Sequence, residues 1–154
     1  MADPVFHVAL LHPEIGPNAG NAGRLCLGLG ARLHLIHPLG FQTDDKAVRR
    51  AGLDYWKHVD VVEHASADDF WTWAQGRSVH LFSARGRAPH TQAPIVTGDV
   101  LLFGRESVGL PAELVDAHGA WQIPMTGAVR SLNLSNAVAV VAYAALQRVR
   151  PELF

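Results

Sequence analysis

Short apolar, β-branched runs alternate with helical segments along the whole chain, and that alternation restricts the fold more than any other feature. Val5 to Leu11, Arg32 to Ile36, His58 to Val62, Val79 to Phe82, Val100 to Phe103 and Ala120 to Ile123 read as strands. Asn18 to Leu29, Asp44 to Arg50, Ala67 to Ala74, Pro111 to Ala117 and Ser135 to Arg148 read as helices. Terminal signals support these spans. Asn18 or Asn21 can cap the first helix, and Gly28 and Gly30 suit its end. Asp44 to Arg50 runs from acidic to basic, as the helix dipole prefers. Ser66 precedes the third helix as a cap, and Pro111 sits in the first turn of the fourth. Strands alternating with helices predict an α/β domain: a mostly parallel sheet with helices on both faces. Ligands of such sheets bind beyond the carboxyl ends of the strands. The least ordinary loops fall there, after Leu11, Phe82, Phe103 and Ile123.

The 154 residues fit one domain spanning 1–154. Met1-Ala2-Asp3-Pro4 lacks the basic start and apolar stretch of a signal peptide, and the longest apolar run, Ala137 to Leu146, is too short to span a bilayer. The expectation is a soluble, cytoplasmic protein without a membrane partner. Cys26 is the single cysteine, so an intramolecular disulfide and cysteine-based zinc sites are excluded. Its apolar neighbours predict a buried thiol. A formal net charge of -1 argues against gripping long nucleic acid by bulk positive charge. Local basic clusters exist at Lys46, Arg49, Arg50 and at Arg85, Arg87, each of which composition alone assigns to a solvated face.

The first unusual loop is Pro17-Asn18-Ala19-Gly20-Asn21-Ala22-Gly23-Arg24, at a strand-to-helix junction. Its glycines permit close approach, and a helix N-terminus favours anions. Arg24 lies nearly two turns beyond Asn18, so the two share a cleft only if Arg24 reaches back. The second is Phe103-Gly104-Arg105-Glu106-Ser107-Val108-Gly109-Leu110-Pro111. Arg105 occupies the first glycine position of a nucleophile elbow around Ser107, which excludes a serine hydrolase. The third is Ile123 to Asn136, where Ser131, Asn133, Ser135 and Asn136 sit among leucines before an apolar helix. One cap suffices for a helix. The surplus polar groups call for partners, either within the turn or on a polar ligand. The helix that follows is apolar almost all round, so either it is central or its second face packs on another subunit, the second being the expectation.

Other signals are weaker. Gly28-Leu29-Gly30 is too short for a dinucleotide fingerprint. His34 and His37 would point to opposite faces of a strand, so no metal site is expected. Asp44-Asp45 reads as a helix start, and Trp71 and Trp73 as core or interface aromatics.

Taken in order, the three loops resemble the SPOUT superfamily of RNA methyltransferases, in its ribose 2′-O-methylating branch. Asn18-x5-Arg24 is similar to the first motif of that branch. Phe103-Gly104-x-Glu106-x-x-Gly109-Leu110-Pro111 is similar to the second. Ile123-Pro124-Met125 with Ser131-Leu132-Asn133-Leu134-Ser135-Asn136 is similar to the third. Within the branch, Pro13-Glu14-Ile15-x-Pro17-Asn18-x-Gly20-Asn21, Pro38-x-Gly40-Phe41 and Arg50-Ala51-Gly52-Leu53-Asp54-Tyr55 resemble the small tRNA wobble-nucleotide 2′-O-methyltransferases.

The resemblance implies a C-terminal trefoil knot, which ordinary topology rules would never propose. It implies S-adenosyl-L-methionine as methyl donor, held largely by backbone at Ala84, Gly104, Ile123, Ser131 and Leu132. It implies a homodimer through helices at the two chain ends, a tRNA anticodon loop as partner, and no metal. The reaction it implies is methyl transfer to the ribose 2′-hydroxyl of the wobble nucleotide, cytidine or uridine at position 34. Arg24 is then the base or the phosphate-positioning group. A guanidinium is normally always charged, so the base role demands an unusual site. Asn18, Glu106, Ser131 and Asn133 would orient Arg24, the ribose and the donor. Two alternatives stand beside this: the same reaction on another tRNA position or on ribosomal RNA, and a non-catalytic domain that only binds RNA or a nucleotide.

Overall fold

A computed structural model describes residues 3–43 and 53–154. The expected Asp44–Arg50 helix and the Lys46, Arg49, Arg50 cluster lie outside the described residues. Strands β1 (His7–Leu11), β2 (Arg32–Ile36), β3 (Val61–His64), β4 (Val79–Phe82), β5 (Ala88–Pro89), β6 (Val100–Phe103) and β7 (Trp121–Gln122) form one sheet in the order β3-β2-β1-β6-β4-β7-β5. Every strand pairing in it is parallel. The expected α/β class with a parallel sheet is what the chain adopts.

Helices cover both faces. On one side α1 (Gly16–Leu29) and α4 (Leu134–Val149) pack on Val8, Leu10, Leu33, Leu35, Leu101 and Phe103 through Ala19, Ala22, Cys26, Val138, Val141, Ala142 and Ala145. On the other, α2 (Ala67–Trp73) and α3 (Ala112–His118) meet Ala9, Leu11, Ile36, Leu81, Val100 and Leu102 through Phe70, Leu114 and Val115. Alternate residues of each strand thus feed opposite cores, so the strands read as continuous apolar runs. The Cys26 thiol is fully buried, and desolvation pushes its pKa up to about 12. It is a packing residue, as its neighbours predicted.

Several boundaries differ from expectation for identifiable reasons. The third strand runs Val61–His64, not His58 to Val62, because Leu53–His58 winds into a 3-10 turn that the Val59 N–H closes onto Trp56. α1 begins at Gly16 with Pro17 in its first turn, and neither Asn18 nor Asn21 caps it. The Asn18 side chain is committed elsewhere, as described below. Gly30, in the left-handed conformation, ends the helix as expected, whereas Gly28 lies inside it. The last strand is shorter than Ala120 to Ile123, and α4 starts one residue earlier than Ser135. The two-residue β5 carries no signal in the sequence, since one of its residues is proline.

The connections create a topological switch. From β1 the chain moves outward through β2 to β3, then crosses to β4 on the far side of β6. β7 enters last, between β4 and β5, with the Ser83 N–H donating to Trp121 O and the Arg87 N–H to Ala120 O. A late segment is thus laid between two strands joined earlier by a short loop. The carboxyl ends of β1, β6, β4 and β7 come together at one edge. Among the described residues no helix is long and apolar enough to cross a membrane.

Candidate active site

The loops after these strands enclose a cleft of about 390 Å³. The β1–α1 loop contributes Ile15 and Asn18, and the β4 loop contributes Ser83, Ala84 and Arg85. The β6 loop contributes Gly104 to Gly109, the segment before α4 contributes Arg130 to Asn133, and α4 itself contributes Leu134 and Ala137. Phe82, Phe103, Ile123, Met125 and Leu132 give it an apolar lining. Ala84, Gly104, Ile123, Ser131 and Leu132, the positions expected to hold a donor, all face this one cleft. So do Asn18, Glu106, Ser131 and Asn133.

Glu106 organises the cleft floor. Its Oε1 accepts from the Glu14 backbone N–H at 2.8 Å; its Oε2 accepts from the Ile15 N–H at 2.8 Å and from Asn18 Nδ2 at 3.1 Å. Glu14 returns the clasp, accepting the Ser107 N–H on its carboxylate at 2.8 Å. Hydrogen bonds from Ser107, with a smaller contribution from the Arg105 charge, hold the Glu14 carboxyl below its ordinary pKa. Two carboxylates therefore cross-brace the β1 and β6 loops through charge-assisted bonds to backbone donors. Asn18 is 5% exposed, and this network accounts for its side chain. Within one chain Glu106 orients Asn18 and the entry into α1 and does not meet Arg24.

The β6 loop needs its glycines. A Cβ on Gly104 would lie 2.1 Å from the Gly109 carbonyl carbon, so no other residue fits. Gly109 has φ +70 and its N–H closes back on Arg105 O at 2.8 Å. The hairpin-like turn holds Glu106 at its tip. Arg85 fixes the neighbouring loop by donating to Leu110 O at 2.7 Å.

The third loop satisfies part of its surplus itself. Asn133 Oδ1 caps α4, accepting from the Ser135 N–H at 2.9 Å and the Ser135 hydroxyl at 2.7 Å. Ser131 and Asn133 remain exposed on the cleft side.

Arg24 stands apart. It is exposed, does not line the cleft within one chain, and has its guanidinium carbon over the Tyr55 ring, 5.1 Å from the centroid. Three other arginines, Arg85, Arg105 and Arg130, do reach the cleft, and the sequence motifs did not single them out as site residues. Nor did they mark Glu14 as the partner of Ser107. Their signal was present only as charge near the right loops.

A second cluster lies away from the cleft. His7, His34 and His64 form a buried chain, with His7 Nδ1 2.8 Å from His34 Nε2 and His34 Nδ1 2.9 Å from His64 Nε2. Trp73 packs against all three rings. Among the described residues no group of three His, Cys, Asp or Glu side chains is placed to hold a metal ion.

A parallel α/β sheet with a switch in strand order, and a part-polar cleft at its carboxyl edge, are the features of proteins that bind nucleotide-sized ligands at such an edge. The chain belongs to the SpoU rRNA methylase family, whose model matches residues 5–143. It is 43% identical over 148 residues to the tRNA (cytidine(34)-2'-O)-methyltransferase of Saccharophagus degradans, covering 94% of this chain and 96% of that one. The Escherichia coli K12 protein of the same name is also 43% identical, covering 94% of each chain. A solved structure described as giving insights into the 2-OH methylation of C/U34 on tRNA superposes with a TM-score of 0.90 at 49% identity, covering 93% of this chain and 95% of that one. At the level of fold alone, an AdoMet-bound rRNA methyltransferase from Sinorhizobium meliloti matches with a TM-score of 0.84 at 24% identity, covering 95% of this chain and 57% of that one.

Proposed function

We infer that this chain transfers a methyl group from S-adenosylmethionine to the ribose 2′-hydroxyl of the wobble nucleotide of tRNA. The observation that carries this reading is the convergence of Asn18, Glu106, Ser131 and Asn133 on one cleft, in a chain alike over nearly its full length to tRNA (cytidine(34)-2'-O)-methyltransferases.

The cleft fits the donor in chemistry. Apolar walls at Phe82, Ile123, Met125 and Leu132 suit a purine, and the backbone groups at Ala84, Gly104 and Leu132 suit its polar edges. When bound, the donor supplies a methyl already activated by a positive sulfur. The chain must do the rest. A ribose hydroxyl is a weak nucleophile at neutral pH, so its oxygen must be aligned and its proton accepted. Ser131 and Asn133, exposed on the cleft side, are the groups assigned to the ribose. Asn18, held by Glu106, presents a fixed amide beside them. Arg24 is assigned to the RNA phosphate or to the hydroxyl proton; a guanidinium held as a cation over a ring takes up no proton, so the second role requires that it first be neutral. Because Arg24 lies outside its own chain's cleft, it enters this scheme by swinging inward or by serving the cleft of a second copy. Arg85, Arg105 and Arg130 place positive charge at the cleft of a near-neutral chain, and phosphate contacts of this kind position RNA without reading sequence.

The same reading includes a homodimer through the outer face of α4, an anticodon loop as the RNA element bound, a cytoplasmic location, a single domain over the whole chain and a trefoil knot closed where β7 enters between β4 and β5. The family's own description, with its rRNA, supports a second reading: ribose methylation on another RNA.

The test is direct. Purified protein, labelled donor and bulk tRNA should yield label in a 2′-O-methylated nucleotide at position 34, mapped by mass spectrometry. Label in ribosomal RNA and none in tRNA would replace the first reading with the second. Arg24→Ala should lose turnover while keeping donor affinity; unchanged turnover would remove Arg24 from the scheme.

A further inference from the structure

The neighbours of Arg24 come from a part of the chain remote in sequence. The 3-10 turn Leu53–His58 lies against α1, and its Trp56 ring packs on Gly23, the residue before Arg24. A Cβ on Gly23 would come within 2.7 Å of that ring, so only glycine admits the contact without displacing the tryptophan. Trp56 also joins the core beneath α1 and α4. One residue earlier, Tyr55 is left at the surface, 43% exposed, with the Arg24 guanidinium carbon over its ring. Gly23 and Trp56 thus act as a mount, and Arg24 and Tyr55 are the adjacent pair the mount brings together.

We propose that Tyr55 is a positioning residue for Arg24, holding the guanidinium by the face of its ring so that the N–H edges stay free for RNA. The inference rests on the assignment of Arg24 to methyl transfer. Its physical basis is the choice of partner: among the described residues Arg24 meets a ring face and forms no ion pair. A carboxylate would take up the N–H donors of the guanidinium and offset its charge. A ring face attracts the cation through its quadrupole and leaves those donors available. An exposed arginine is also rich in rotamers, and a side chain already restrained loses less freedom when it engages a phosphate or hydroxyl. The hydroxyl of Tyr55 plays no part in this account; the ring does.

Steady-state kinetics on tRNA with Tyr55→Leu, Tyr55→Phe, Arg24→Ala and the double variant Tyr55→Leu/Arg24→Ala tests it. Tyr55→Leu should lower kcat about three- to fivefold, in keeping with a surface cation–π contact. Donor affinity, measured by calorimetry, should stay unchanged and so report an intact fold. Tyr55→Phe should restore kcat to within about twofold of the parent, since the ring face persists. The double variant should be no slower than Arg24→Ala, because the effect of Tyr55 runs through Arg24. Parental kcat and KM for tRNA in Tyr55→Leu, or equal impairment in Tyr55→Phe, would each overturn the proposal; a loss confined to the KM for tRNA supports it with the restrained guanidinium on a phosphate. An inactive Arg24→Ala beside an unimpaired Tyr55→Leu overturns it while leaving the assignment of Arg24 standing. A fully active Arg24→Ala removes both.

Discussion

Glu106 accepts from three donors, Glu14 N–H, Ile15 N–H and Asn18 Nδ2, and a glutamine has only one oxygen to offer them. Glu106→Gln should therefore set an amide NH2 either against the Glu14 N–H or against the Ile15 N–H and Asn18, and in both cases loosen the clasp that holds Asn18. The expected result is a kcat about tenfold lower with donor affinity little changed, a difference worth roughly 1.4 kcal/mol in the transition state. Kinetics beside calorimetric donor binding would separate the two, and an unaffected kcat would deny Asn18 its assigned role. The histidine chain makes a different prediction. Burial lowers the pKa of His7 to about 4, with smaller contributions from the Arg77 and Arg32 charges; the same desolvation lowers His34 to about 2 and also lowers His64. The folded state thus favours the neutral rings. Their contribution is complete above the ordinary histidine pKa and declines as pH falls below it, because the unfolded chain then binds more protons. From His7 alone the loss at pH 5 is on the order of 2 kcal/mol. Two N–H···N bonds along three rings accommodate one extra proton at most, which reinforces the direction. Thermal melts between pH 7.5 and 5 should show a steadily falling Tm, and a flat profile would contradict the buried, neutral chain.

At the scale of elements, α4 and the loop before it show how one residue serves structure and site together. Asn133 caps the helix through its Oδ1 while facing the cleft, so a loss of activity on its removal is ambiguous by itself. Asn133→Ala should cost about 1 kcal/mol of stability in urea unfolding, and Asn133→Asp, an equally good cap, should restore it. If Asn133→Asp regains stability without regaining turnover, the amide is required by the chemistry; if both return, its role is the cap alone. Much of this element was legible in the sequence, because periodic apolar residues and a polar cap announce a helix locally. The parallel strands were legible for the same reason, and so was the cleft edge, because unusual loops fell after strand ends. What lay beyond reach was register. His7, His34 and His64 meet only because β1, β2 and β3 pair so that His7 lies opposite Arg32, and His34 opposite Val62. Nothing in the spacing of the three histidines encodes that. The Glu106 clasp joins residues 88 to 92 positions apart, and Asn18, expected as a cap, was drawn into it instead. The strand expected from His58 starts only at Val61, because the 3-10 turn that seats Trp56 on α1 runs through His58, a tertiary demand that overrides local β preference.

For the whole molecule, the outer surface of α4 raises the question of assembly. The helix buries Val138, Val141, Ala142 and Ala145 against the sheet and α1, yet Val140 is 39% and Tyr143 50% exposed on its other side. Leu153 and Phe154, just beyond its end, are 58% and 64% exposed. A soluble helix with one buried stripe ordinarily carries polar groups opposite. Here the middle of the opposite side is apolar at Val140 and Tyr143, and packing it on the same surface of a second copy would give a self-complementary, two-fold contact. Such a contact would also bear on Arg24, which this chain holds outside its own cleft. If α4 forms the dimer, Tyr143→Asp should place a charge in the apolar contact and shift the protein to a monomer, read by light scattering after size exclusion. Donor binding should persist, because Tyr143 does not line the cleft. Methyl transfer to tRNA should fall with the dimer fraction if two copies are needed to engage one RNA. A Tyr143→Asp protein that stays dimeric would place the interface elsewhere, and a monomer with full turnover would show that each chain completes its own site, with Arg24 reaching inward across α1.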